Sequence, residues 1–401
     1  MYRIESERGD LFDVNMMIAM KATVNGRATE NELVAAFREA VASFEILNSK
    51  VVIDDNGDAF YDCCASPQNS IVFKDFEFSN LISEQEGIRF RIEDGEFLRC
   101  FVSHTNSEVM KMCFLMHHLG GDGKSLLYFI ETFLKNLNGD KSEYREIILL
   151  DNKTLPKDAR LPLLAKWLVK SFNRKWQKER RVFNFNDMSK AYEMFWQTHS
   201  TTVKIEVTEG SELKKKIKTC KTGGVGFTSY TIAEMLQHIP RVQDIELAVD
   251  GRIDGNRTMS NQATGISVKY RYKGKKTLVE NAAIIDKMMK KKLKNIGFKY
   301  FILRFMSEFD PTLVDAVNLE FVGYFHSDIS AKLARMLGYG HNTKDISITN
   351  LTRVDILTEY GDYRLVDLLF VPPVVSYGKN IIGMVTVGDR LNMAYHVLQK
   401  S

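Results

Sequence analysis

The chain has 401 residues, more than one hydrophobic core usually organises, so two core-bearing halves are expected. Apolar residues make up 44% and charged residues 26%, with seven prolines and a net charge of +4, a balance that argues against disorder and against a nucleic-acid partner. No apolar run reaches the roughly 18 residues of a membrane span, and the charged start Met1-Tyr2-Arg3-Ile4-Glu5-Ser6-Glu7-Arg8 lacks the apolar segment of a secretory signal, so a cytoplasmic protein is expected.

In chain order, residues 16–24 read as a strand. Thr29 and Glu32 stand at capping-box spacing, and Leu33, Val34, Phe37, Ala40, Val41 and Phe44 mark one face of the helix behind them. Residues 46–53 and 59–62 read as a hairpin across Asp54-Asp55-Asn56-Gly57, and 97–103 and 109–116 as a second across 104–107. A helix is expected over 125–134. Paired strands with helices packed on them make the first half α+β. From residue 151 to about 200 the character changes. Leu164, Trp167, Leu168, Phe172 and Trp176 fall near helical spacing, interleaved with Lys166, Lys170, Arg174, Lys175, Lys178, Arg180 and Arg181. The first reading is a connecting helix that packs its aromatics and solvates its cations; the second is a helix in peripheral contact with a membrane. The pattern then restarts: strand 202–207, helix 209–219, a loop at Gly223-Gly224-Val225-Gly226, helix 228–238, strands 245–249 and 265–272, helix 279–295, strands 346–350 and 365–371, and a hairpin of 382–387 with 391–397. The expected organisation is an N-terminal half over 1–165, a linking helical segment over 166–200 and a C-terminal half over 201–401.

Several features read as plain structure. Cys63, Cys64, Cys100, Cys113 and Cys220 lack metal-type spacing and read as reduced thiols. His104, His199, His238, His326, His341 and His396 are scattered, so no metal site is expected. The glycine loop at 223–226 lacks the Lys-Ser/Thr of a phosphate-binding loop. The basic run 287–294 reads as a solvated helix face; its functional alternatives are coenzyme A phosphates, an acidic carrier surface or anionic lipid.

The chemistry concentrates in His117-His118-Leu119-Gly120-Gly121-Asp122-Gly123, between a strand-like and a helix-like run. Imidazole is the side chain best suited to take a proton from a hydroxyl or amine near neutral pH. An acceptor deprotonated by His118 attacks a thioester directly, and no Gly-x-Ser-x-Gly elbow points to a covalent serine route. Gly120, Gly121 and Gly123 allow a tight turn that brings backbone N–H groups, or the helix start at Ser125, near a developing oxyanion. Asp122 is expected to fix the loop through an ion pair rather than relay a proton.

With Ser125 behind it, this segment resembles the HHxxxDG motif of the condensation-domain-like and chloramphenicol-acetyltransferase-like acyltransferases. Phe44-Glu45-Ile46-Leu47-Asn48-Ser49, Asp94-Gly95-Glu96-Phe97-Leu98-Arg99 and the stretch 377–397, with Thr386 and Gly388-Asp389-Arg390-Leu391, resemble further family segments in the same order. The resemblance implies an α/β (α+β sandwich) pseudo-dimer of two related halves around a central channel, with donor and acceptor meeting at the second histidine, His118. It implies that Asp122 pairs with an arginine of the second half, for which Arg252 is placed. Met259-Ser260-Asn261 resembles a Met-Gly-Asn segment near the channel, with Ser260 replacing the glycine. Val375-Ser376-Tyr377-Gly378-Lys379 stands where the plant branch carries Asp-Phe-Gly-Trp-Gly, which argues against that branch.

The expected function is acyl transfer from a thioester to a small-molecule hydroxyl or amine. His118, His117, Asp122 and Gly123 are the candidate catalytic residues, and Arg252, Asn261 and Ser125 the structural or channel residues. No permanently bound cofactor is expected; acyl-CoA or an acyl-phosphopantetheine carrier protein would be co-substrate. A monomer is expected, and hydroxyl acceptors are favoured because the chain ends without a carrier or adenylation domain. The alternatives are a free-standing condensation protein making amides from carrier-bound substrates, and a non-catalytic recruitment module on the same fold.

Overall fold

Strand Met17–Asn25 carries apolar side chains on both faces because both faces are covered. It pairs antiparallel with Val109–His117 on one side and with Tyr363–Val371 on the other. The computed structural model describes residues 1–103, 108–340, 344–376, 378 and 380–400. The turn expected over 104–107, with His104, lies outside the described residues, as do His341, Tyr377 and Lys379.

Around that strand a six-stranded sheet forms in the order Glu359–Tyr360, Tyr363–Val371, Met17–Asn25, Val109–His117, Leu98–Ser103, Ser70–Phe73. Only Ser70–Phe73 runs parallel to its neighbour. Helix Glu30–Ala42 starts at the Thr29–Glu32 capping box and buries Leu33, Ala36, Phe37, Ala40 and Val41. Helix Gly123–Leu137 is buried on nearly every side, its Phe129 ring packing against Phe37, Phe44 and Phe114. Residues 45–48 depart from the expected strand. Asn48 donates its amide to Val41 O and Phe44 O at 2.8 and 2.9 Å, which holds Glu45–Asn48 as a 3-10 turn, and the strand begins at Ser49. Ser49–Ile53, Ala59–Cys63 and Tyr2–Arg3 make a small separate sheet.

A second six-stranded sheet runs Ala263–Tyr270, Gln243–Asp250, Ile346–Arg353, Ile381–Val387, Arg390–Lys400, His199–Glu209. Ile346–Arg353 is parallel to both neighbours and the other pairs are antiparallel. Helices Gly210–Gly223, Phe227–Leu236 and Leu278–Leu293 cover it, closing a second core with Leu213, Ile232, Ile245, Ile266, Ile285 and Met384. The molecule is thus an α/β protein of two helix-covered mixed sheets.

Two features join the sheets. Strand Tyr363–Val371 follows elements of the second sheet in sequence, yet pairs in the first. Asn392, on the second sheet, donates its amide to Leu368 O and to the Asp367 carboxylate at 2.6 Å each. Elsewhere, His396 of strand Arg390–Lys400 meets Glu86 of helix Phe78–Glu86 at 3.0 Å, and its other ring nitrogen lies 2.8 Å from Pro372 O.

Candidate active site

The His117–Gly123 segment leaves the first sheet at the end of Val109–His117. His117 donates its backbone N–H to Phe97 O (2.9 Å) and His118 donates its own to Met16 O (2.8 Å), so both neighbouring chains fix this strand end. The turn His118–Gly120 follows, then helix Gly123–Leu137. Gly121 has φ +148°, and a Cβ there would lie 2.4 Å from Ser125 Cβ. Only glycine passes without a clash. Gly123 opens the helix, where a Cβ would come within 2.9 Å of the Phe370 ring on the crossing strand.

The two histidines occupy different environments. His117 is buried against the Phe90 ring, and its Nδ1 accepts the Leu119 N–H at 3.2 Å. Burial, with His118 and the Arg89 and Arg99 guanidiniums nearby, pushes it down to about 3. It is therefore neutral near pH 7, with its Nδ1 committed inside the turn. His118 keeps 15% of its side-chain surface exposed, and its Nδ1 faces Asp10 Oδ2 at 3.8 Å.

Asp122 caps the helix, accepting the Ser125 N–H at 2.9 Å. Arg252 lies just beyond strand Gln243–Asp250. It donates two bonds to the Asp122 carboxylate, 2.8 and 3.0 Å, and a third to Ser125 Oγ at 2.9 Å. The Gln262 N–H adds a fourth donor to Asp122 at 3.1 Å, and Ser125 Oγ lies 3.0 Å from Ser260 O as its donor. Burial would raise the Asp122 carboxyl, but Arg252 and the Ser125 N–H outweigh it and hold the group below the usual carboxylate range. A carboxylate so fully occupied cannot shuttle protons. It joins the first sheet's helix to the second sheet's loops. The Ser125 N–H, which the sequence left open as an oxyanion donor, is committed to Asp122.

Asn261 completes the arrangement from the same loop. Its amide donates to Asp10 Oδ2 at 2.7 Å and its Oδ1 accepts the Ala263 N–H at 3.1 Å. The structure therefore brings His117, His118, Asp122, Gly123, Ser125, Arg252 and Asn261 into one locale.

It also adds Asp10, which sequence reading missed, with Glu7 and Asp13 on the same N-terminal segment. Turn Arg8–Asp10 is pinned by a buried Arg8–Asp315 pair at 2.5 to 2.7 Å and by Asn318 donating to Gly9 O at 2.7 Å. Among the described residues, Glu7, Asp10 and Asp13 have no lysine or arginine partner. Burial raises all three carboxyls, Asp13 to about 7. Asp13 is held by the Asn15 N–H at 3.1 Å and Ser376 Oγ at 3.2 Å. The one visible signal was Asp13 itself, a charge inside the apolar run Leu11-Phe12-Asp13-Val14.

The basic run on helix Leu278–Leu293 buries Ile285 and Met289 and exposes Lys287, Lys290 and Lys291 around a surface cleft of about 410 Å³.

No family model and no curated protein matches the sequence. Solved structures do match in fold. The trichothecene 15-O-acetyltransferase TRI3 from Fusarium sporotrichioides superposes with a TM-score of 0.64 at 12% identity, covering 98% of this chain and 89% of that one. The first condensation domain of the CDA synthetase gives 0.62 at 11% identity, with 98% and 87% covered. Polyketide synthase associated protein 5 from Mycobacterium tuberculosis gives 0.61 at 9% identity, with 98% and 92% covered. The chain therefore has the condensation-domain and acetyltransferase fold along nearly its whole length, the α/β fold that the motif resemblance implied.

Proposed function

We propose that the protein is an acyltransferase that moves an acyl group from a thioester, acyl-CoA first, to a hydroxyl or amine, with His118 as general base. The observation that carries this reading is the contrast between the two histidines: one buried and neutral, the other partly exposed beside a carboxylate. A carboxylate facing Nδ1 favours the tautomer protonated there and leaves Nε2 to accept a proton. In the step proposed, Nε2 takes the acceptor's proton as its oxygen or nitrogen bonds to the thioester carbonyl carbon. The C–S bond breaks as the tetrahedral intermediate collapses, and the departing thiolate takes the proton from His118. Asp122 and Arg252 hold the loop, and Asn261 fixes Asp10. The fold shared with a condensation domain supports a second reading, amide formation from carrier-bound thioesters by the same base.

Thiol release from a panel of acyl-CoA thioesters, offered mixed alcohols and amines, tests the reading. Wild type is expected to turn over at least one pair, and His118→Ala to lose roughly a hundredfold or more of that rate. Equal rates in both proteins would remove His118 as the base. Turnover only with phosphopantetheinyl carriers would favour the second reading. No turnover with either donor, together with thermal stabilisation by a partner protein, would favour a recruitment module.

A further inference from the structure

We propose that the N-terminal end of helix Leu163–Trp176 is a docking surface for an anionic lipid bilayer. The helix is anchored by one face only. Val169, Phe172 and Trp176 are buried, Trp176 donates its indole N–H to Thr312 Oγ1 at 2.8 Å, and Phe172 packs edge-on to Phe309. The opposite face begins with three large apolar side chains in the open: Leu163, Leu164 and Trp167 are 86%, 77% and 67% exposed. Scattered apolar residues on a surface are ordinary, whereas three within five helical residues form a patch.

The same face carries charge of one sign. At 100° per residue, Leu163, Trp167, Lys170 and Arg174 fall within about 60° of the helix circumference, with Lys166 and Leu164 on either side. The helix holds four cations, Lys166, Lys170, Arg174 and Lys175, and no acid. All four are exposed, and among the described residues none has a salt-bridge partner. Leucine and tryptophan at a tip, followed by unpaired cations, match a surface that enters the headgroup boundary while its lysines meet lipid phosphates. Charge decides the occupant. A second copy docked through this face would bring four like charges against four, whereas an anionic bilayer complements them. Helix Leu163–Trp176 is far too short to span a bilayer, so the contact is peripheral.

Co-sedimentation of the full chain with vesicles tests this, using phosphatidylcholine alone and phosphatidylcholine with about one third phosphatidylglycerol. Binding is expected to the anionic vesicles and to weaken with salt. It is expected to fall about tenfold or more in the triple variant Leu163→Ser, Leu164→Ser, Trp167→Ser, and in Lys166→Glu with Lys170→Glu. These side chains are exposed, so unchanged thermal unfolding controls for folding. Lipids with brominated chains should quench emission in wild type and not in Trp167→Phe. Absence of binding, equal binding to neutral vesicles, or binding retained by both variants would overturn the proposal. So would a dimer in sedimentation velocity that the triple variant abolishes without any lipid binding, since the face would then belong to a second copy.

Discussion

At the scale of residues, the loop after His118 is held by the buried Asp122–Arg252 ion pair. Removing Arg252 leaves Asp122 without its compensating charge, and Arg252→Met is expected to cost about 3–5 kcal/mol of stability. Adding Asp122→Asn, which keeps the helix cap, should recover part of that loss. Urea unfolding of wild type, both single variants and the double variant measures the coupling, and strictly additive losses would deny that the pair acts as a unit. Asp13 sets a pH dependence. Its carboxyl is at about 7 in the fold, against about 3.9 in an unfolded chain. Between those values the fold retains a proton that the unfolded chain has released, so Asp13 lowers stability as pH rises through that window. Asp13→Asn cannot ionise. It should match wild type near pH 3.5 and exceed it at pH 8 by at most about 4 kcal/mol. A stability difference between the two proteins that is the same at both pH values would contradict the burial argument. The contiguous residues of this site were legible in the sequence, because histidines, glycines and an aspartate in seven positions carry their own signal. Arg252 was legible only through resemblance. Asp10 was not, since what matters is its nearness to His118 across a fold in which they are 108 positions apart.

At the scale of elements, helix Phe78–Glu86 is held to the second sheet by the contact of Glu86 with His396. Thr201, on the neighbouring strand, also donates to Glu86. Burial opposes a charge on His396, but Glu86 and the Pro372 carbonyl outweigh it and raise the imidazole above its ordinary value. The stability this gives is present below about pH 6.5 and is lost as pH rises through the folded value. Glu86→Gln should therefore destabilise most near pH 6 and progressively less toward pH 9, as read by thermal unfolding. A loss independent of pH would make the contact a neutral hydrogen bond. Elements with one buried face announced themselves, as at Thr29, where cap and period agree. Helix Pro311–Val322 did not. Thr312, Leu313, Val314, Asp315, Ala316, Val317, Asn318 and Leu319 are consecutively buried, so no apolar stripe alternates with a wet face.

At the scale of the whole molecule, two core-bearing halves followed from length and most strands could be read along the chain from periodicity, but the sheet to which each strand belongs could not. Strand Tyr363–Val371 looks like any apolar strand until its register is seen: Leu368 stands opposite Ala22. It follows that residues 1–200 expressed alone lack a neighbour for their central strand and should be aggregation-prone. Co-expression with residues 201–401 should restore a soluble complex. A monodisperse, cooperatively unfolding 1–200 fragment would show that the crossing strand is dispensable. The same topology has a consequence during synthesis. Met17–Asn25 leaves the ribosome early with one of its two edges open, and its partner follows only when nine-tenths of the chain has been translated. For that interval the nascent chain is a template for wrong strand pairing, and a chaperone that shields β edges would matter more to its yield than one that waits for a finished domain.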